Sequence, residues 1–337
     1  MSNETEDTGV RDLMLRSLDR IVEEKAEGAA QAADGKPGFP TALWAALEEA
    51  GMTALGEGNE GDLGLGNAAA LIERAAYHTL PVPLAETILA RRLLARASIE
   101  IPDGALSVAP PSAIRDGRAA SVPWASSVVG VVVATGPDMI SLIDAREASM
   151  PGFNMAGEPR ETIDLGRAKV IASARLADAA SLVEAEGALI RAVQLSGGMS
   201  RVLEHCLTWA NDRVQFGRPI ARFQAIQHLM AELAAEAAAG SASALMAVEA
   251  MAERGDRLSA AIAKARAGEA AGRVCAIAHE VFGAMGFTQE HTLHYATRRL
   301  WSWRNEFGSE VQWQAEIGRT IAAGGADNLW ATLTAHG

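Results

Sequence analysis

The chain has 337 residues, 49% hydrophobic and 21% charged, with a formal net charge of −12. That length supports a large core divided among two or three packed units. The acidity excludes binding to nucleic acid or anionic membrane through general electrostatics, and leaves room only for a local basic pocket.

The N-terminal MSNETEDTGVRD lacks the basic-then-apolar layout of a signal peptide. Residues 9–33 then carry Val10, Leu13, Leu15, Leu18, Ile21 and Val22 at helical spacing. AADGKPGFP at 32–40 reads as a loop, and TALWAALEEAG at 41–51 as a short helix ended by Gly51. The glycine-rich GEGNEGDLGLGN at 56–67 has no GxGxxG opening a helix after a strand and no Lys-Ser/Thr, so it is a connecting loop and not a phosphate cradle. Helices follow at 67–80 and 83–97, separated by Pro81 and Pro83. From about 102 to 172 the chain turns rich in Val, Ile, Ser, Pro and Gly, and VVGVVVAT, MISLID and RAKVIAS read as strands. The most apolar run, SSVVGVVVAT, falls far short of the roughly 20 residues a membrane helix needs.

Helical periodicity returns at 178–215, 221–253, 257–283, 290–303 and 309–333. In the second of these Phe223, Ile226, Met230 and Leu233 share a face. Long helices with short connections predict an antiparallel four-helix bundle. The fold class is therefore mainly α with a small β unit. Cys206 and Cys275 lie far apart in helical patterns without a CxxC, so both read as buried thiols in a reduced cytoplasm. In QEHTLH, Glu290, His291 and His294 lie close together, but no glutamate precedes a histidine by three, so a di-iron bundle is not expected.

The order helical, β, helical bundle, with NDRVQFGRPIARFQAIQH (211–228) at the first junction of the bundle, resembles the acyl-CoA dehydrogenase family. LWAALEEAGMTALGEGNEGDLGLG, HEVFGAMGFTQEHTLHYATRRL and NEFGSEVQ (305–312) resemble further family segments, so the likeness covers nearly the whole chain. It implies an N-terminal helical domain (1–101), a reduced β domain (102–175) and a C-terminal bundle domain (176–337). It also implies FAD-dependent α,β-dehydrogenation of an acyl-CoA thioester.

By the same resemblance Arg213, Phe216 and Gln224 are contacts for the adenosine-diphosphate half of a neighbouring subunit's FAD. Arg213 and Phe216, three apart on one helix face, suit this: a guanidinium grips a pyrophosphate bidentately, and a ring gives adenine a flat surface. The alternative is an exposed helix-end arginine and a core phenylalanine. At the second segment the matching positions are Glu280, where the family has glutamine, then Gly283, Ala284 and Gly286. Glu306 matches the family's catalytic glutamate, which must be buried to act on a weak carbon acid. Its alternative is a salt bridge to Arg304 or Arg299. Some members place the base on the first bundle helix, at the position of Gly187, with Glu184 and Glu186 nearby. Trp301, Trp303 and Trp313 read as core packing, an acyl pocket or an interface, and Arg298 and Arg299 as solvated or phosphate-reaching.

The β unit departs most. Where the family supports the isoalloxazine with a Gly-Ser-Asp loop, this chain has LSVAPPSAIRDGRAA, and Trp124 in SVPWASS is a weak stand-in for the flavin-stacking strand. Short members of this kind resemble one half of heteromeric α2β2 acyl-CoA dehydrogenases. The implied partners are an acyl-CoA substrate, a full-length paralogue in a dimer or tetramer, and an electron-transfer flavoprotein as acceptor. The alternatives are a self-sufficient homo-oligomer with Glu306 as base, and a non-catalytic stabilising subunit.

Overall fold

Helix α1 (Ser2–Lys25) opens the chain and α2 (Thr41–Glu49) follows it in a computed structural model that describes residues 2–25, 38–58 and 64–334. The end of the helix expected at 9–33, most of the 32–40 loop and the centre of the glycine-rich loop lie outside the described residues. Leu43, Trp44 and Leu47 put one face of α2 in the core. Gly51, at φ +70°, ends the helix: its N–H reaches Glu48 O at 2.9 Å and Met52 N–H reaches Leu47 O at 3.0 Å. Helix α3 (Gly64–Tyr77) is clamped to α1 by a two-pronged bond from Arg74 to Asp19, at 2.7 and 2.9 Å. Helix α4 (Leu84–Arg96) is buried along most of its length, and Leu84, Ile88, Leu89, Leu93 and Leu94 are 2% exposed or less. Thr87 Oγ1 bonds both the N–H and the carbonyl of Leu106 at 3.0 Å, which fastens α4 to the first strand.

Eight strands follow: β1 (Leu106–Val108), β2 (Ile114–Arg115), β3 (Arg118–Pro123), β4 (Gly130–Gly136), β5 (Met139–Asp144), β6 (Ser149–Met150), β7 (Arg160–Asp164) and β8 (Lys169–Arg175). They form two sheets, β1-β4-β5-β8 and β2-β3-β7-β6, antiparallel except for the β1–β4 pair. The three expected strands are β4, β5 and β8. Val131 to Val133 of β4 are fully buried, as a continuous apolar run in a central strand requires. The others were not legible because they are short or rich in Ser, Ala and Glu. One is a hairpin arm turned at Asp116 (φ +50°) and Gly117 (φ +72°).

The helical remainder contains α5 (Ala179–Asp212), a two-residue hairpin of β9 (Val214–Gln215) and β10 (Arg218–Pro219), α6 (Gln224–Arg254), α7 (Arg257–Phe282), α8 (Leu293–Trp303), α9 (Glu310–Gly324) and α10 (Leu329–Thr334). The single helix expected at 309–333 is thus two, broken where Gly324 and Gly325 (φ +78°) meet. At the α6–α7 corner Gly255 takes φ +64°, and Asp256 caps α7 by accepting from Leu258 N and Ser259 N at 3.0 and 3.3 Å. Small residues set the helix spacing: a Cβ on Gly240 of α6 would lie 2.6 Å from Met199 Cε and 3.4 Å from Ala270 Cβ. By contacts the chain divides into two units, residues 1–75 with 80–190, and residues 76–79 with 191–337.

Candidate active site

Two places in the second unit hold the residues singled out from sequence. The first is the corner after α5. The helix ends at Asp212, so Arg213 and Phe216 do not share a helix face as expected. The chain instead reverses through the β9–β10 hairpin, with Phe216 (φ +52°) and Gly217 (φ +78°) at its tip, and Ile220 N–H closes it onto Arg213 O at 2.9 Å. Gly217 therefore serves a tight turn beyond a helix already ended. Phe216 is 91% exposed. Arg213 lies over the Trp209 ring at 5.6 Å and Arg218 over the Phe223 ring at 4.3 Å. Neither arginine has an ion-pair partner among the described residues. Gln224 is the exposed first residue of α6, with Phe223 in the capping position.

The second expected segment reaches the same corner. Phe282, the last residue of α7, stacks on Trp209 with ring centroids 4.8 Å apart and planes at 14°. Gly283 follows at φ +60°, a conformation that favours glycine. Gly286 is buried, and a Cβ there would lie 3.0 Å from His279 Nδ1 and from Phe282 Cβ. Glu280 is exposed. His205 and His291 flank the stack with ring centroids 5.4 Å apart. Burial, more than the nearby Arg201 and His291, lowers the His205 pKa to about 4.

The other place is the turn between α8 and α9 that carries Glu306. Its carboxylate is 2.7 Å from the Arg191 guanidinium of α5, with side chains 10% and 1% exposed. Arg304 Nε donates to Glu310 Oε1 at 2.6 Å, and Arg299 Nη1 donates to Tyr295 O at 3.0 Å. Arg191 also lies 5.5 Å from the centre of the Phe307 ring. Of the tryptophans nearby, Trp303 is 3% exposed, and Trp313 Nε1 donates to Phe307 O at 2.8 Å. Glu184 and Glu186, the alternative carboxylates near Gly187, are both engaged in the first unit. Glu184 accepts from the Ser112 backbone and hydroxyl at 2.9 and 2.7 Å, and Glu186 pairs with Arg96 at 2.6 Å and Arg92 at 3.2 Å.

Sequence reasoning missed Arg191, Lys264 and the Arg304–Glu310 pair. A lone arginine or lysine in an alanine-rich helix looks solvated. The available signal was the spacing Lys264, Gly268, Gly272, which places one long and two absent side chains along a single face of α7.

Whether these residues fit FAD differs between its two ends. Unpaired guanidiniums beside an exposed ring suit a pyrophosphate and a purine. Among the described residues of the first unit, those where the resemblance places the flavin ring do not suit it. Trp124 is 4% exposed and its ring meets Phe39 edge-on at 5.9 Å, so it offers no face for stacking. Ser126 N–H donates to Glu161 at 2.6 Å and its hydroxyl bonds the same carboxylate. LSVAPPSAIRDGRAA forms a strand and a closed hairpin, with Ser112 held by Glu184.

Comparison with known proteins agrees with this architecture. Residues 168–315 match the family model for the acyl-CoA dehydrogenase C-terminal domain. The chain is 29% identical over 311 residues to acyl-CoA dehydrogenase IpdE2 of Mycolicibacterium smegmatis, covering 86% of this chain and 91% of that protein. A variant of the Tcur3481–Tcur3483 steroid ACAD superposes with TM-score 0.85 at 22% identity, over 95% of this chain and 99% of the other. The ChsE4–ChsE5 complex from Mycobacterium tuberculosis gives TM-score 0.81 at 19% identity, over 93% and 97%. The family match falls on residues 168–315, chiefly the helical remainder of the chain, and the likeness to acyl-CoA dehydrogenase IpdE2 runs over most of the chain. None of the described helices is long and apolar enough to cross a membrane.

Proposed function

We propose that this chain is the short subunit of a heteromeric acyl-CoA dehydrogenase, and that it lends the bundle corner to the adenosine-diphosphate end of a flavin whose ring is held by a full-length partner. The asymmetry just described carries the reading: a corner of unpaired arginines and an exposed phenylalanine is kept, while the flavin-ring loop is a closed hairpin. When bound, FAD supplies the hydride acceptor for α,β-dehydrogenation. Arg213 and Arg218 neutralise the pyrophosphate, Phe216 covers the purine, and Gly283 and Gly286 leave backbone room for the phosphates. Glu280 and Gln224 would complete the contact set at the ribose. The solved structures described as a steroid ACAD and as the ChsE4–ChsE5 complex favour a bulky, ring-bearing CoA thioester as substrate, and the family resemblance adds an electron-transfer flavoprotein as acceptor.

A second reading, a self-sufficient homo-oligomer with Glu306 as base, has one observation in its favour, the near-burial of that carboxylate. The Arg191 pair counts against it, because it engages one oxygen of that carboxylate in an ion pair. The flavin-to-protein ratio separates the two. The chain purified alone should carry little FAD, and stoichiometric FAD per pair should return on co-expression with a full-length paralogue. Stoichiometric flavin and turnover by the chain alone would overturn the shared-site reading.

A further inference from the structure

Among the buried cations of the described residues that the corner and its cofactor do not use is a lysine. Lys264 of α7 is 0% exposed. Its Nζ donates to Arg304 O at 2.6 Å and to Gly308 O at 2.7 Å. Those carbonyls bracket Glu306, one on each side.

The face of α7 next to Lys264 is shaped to receive this turn. Four residues on, a Cβ on Gly268 would lie 2.7 Å from Glu310 Cγ; four further, one on Gly272 would lie 2.7 Å from Arg304 Nη1. The two glycines clear a trough for the Arg304–Glu310 pair, and the lysine closes its end. The turn needs such support, because Phe307 (φ +50°) and Gly308 (φ +85°) both take left-handed conformations. At Phe307 that is strained, and such strain persists only where surrounding contacts fix it.

We propose that Lys264 is a positioning residue: it holds the 304–308 turn by both carbonyls and through it fixes the aim of the Glu306 carboxylate at Arg191. An ammonium has three protons and this one has two acceptors, so a neutral amine satisfies the same two carbonyls. Loss of the third proton keeps the turn fastened and removes a positive charge facing Glu306 and Glu310. Burial, opposed by those two carboxylates and reinforced by Arg191 and Arg304, lowers the Lys264 pKa to about 7. The field at Glu306 therefore changes across neutral pH, where neither carboxylates nor arginines titrate.

Trp313 reports on the turn directly, since its indole N–H is bonded to Phe307 O. In the full chain labelled with nitrogen-15, the Trp313 indole resonance is assigned by its loss in Trp313→Phe. It should shift with a midpoint near neutrality in the unaltered protein. Lys264→Arg, which cannot deprotonate, should abolish that titration; Lys264→Met should abolish it and move the resonance at every pH. A wild-type indole that does not respond between about pH 6 and 8, or one whose response survives in Lys264→Arg, would overturn the proposal, and the wild-type arm needs no variant to fold. The outcome is independent of the shared-flavin reading, which is decided by flavin content.

Discussion

The guanidinium of Arg191 and the carboxylate of Glu306 meet at 2.7 Å from positions more than a hundred residues apart, almost out of solvent. The position where the family resemblance implies a base is therefore held in an ion pair. Gly187, one turn before Arg191 on the same face of α5, marks where some members carry their base. In this chain that face presents an arginine one turn later.

Removing one member of such a pair strands the other charge, whereas replacing both is far less costly. Glu306→Leu and Arg191→Met should each destabilise the protein by about 3 kcal/mol. The double variant Arg191→Met/Glu306→Leu should lose much less than the sum. Urea unfolding of the four proteins gives the coupling. An additive result would mean that the pair contributes nothing.

What the sequence made legible follows from range. Helices α2 to α7 announced themselves by periodicity and by breakers such as Gly51 and Pro83, and each sits within a few residues of its expectation. The Phe216 hairpin was misread because Arg-x-x-Phe fits helical spacing as well as it fits the end of a helix plus a turn; only the backbone separates the two. Arg191 was invisible for a different reason. Its partner is fixed by tertiary packing, and nothing local distinguishes it from a solvated arginine. The burial of Trp124 likewise depends on Phe39, more than eighty residues before it.

The glycine trough predicts an inequality. Glycine to alanine in a helix interior gains about 1 kcal/mol from propensity alone. At Gly272 the new methyl meets the tip of a flexible arginine, which can move. At Gly268 it meets Glu310 Cγ near the root of a buried side chain, where overpacking costs roughly 1–3 kcal/mol. Gly272→Ala should leave thermal stability nearly unchanged and Gly268→Ala should lower it. Equal melting temperatures would show that Glu310 can step aside.

His205 gives the acid side of the stability curve. Its folded pKa of about 4 lies below its ordinary 6.5, so between those values the unfolded chain binds a proton that the native chain does not. Stability is thus present above about pH 6.5 and is lost as pH falls towards 4, by at most about 1.4 kcal/mol per unit. The charged or titratable groups facing it are Arg201, His291 and Glu204. His205→Gln should flatten this part of the curve, measured as unfolding free energy against pH. An unchanged slope would assign the acid sensitivity to another group.

Phe216 separates binding from folding. A side chain 91% exposed contributes little to a core, and its left-handed backbone costs roughly 1 kcal/mol that glycine would not incur. Its retention in that place makes sense if a ligand covers the ring. Phe216→Gly should therefore melt no lower than the unaltered protein while holding FAD less tightly in the assembled enzyme. Arg213→Ala, which removes a charge-assisted bond, should weaken FAD roughly tenfold with stability within about 0.5 kcal/mol of the starting protein. Both are read from flavin dissociation by fluorescence alongside a thermal melt. Normal flavin retention in both variants would remove the corner from the cofactor site, and a large fall in melting temperature with Phe216→Gly would make the ring a structural element after all.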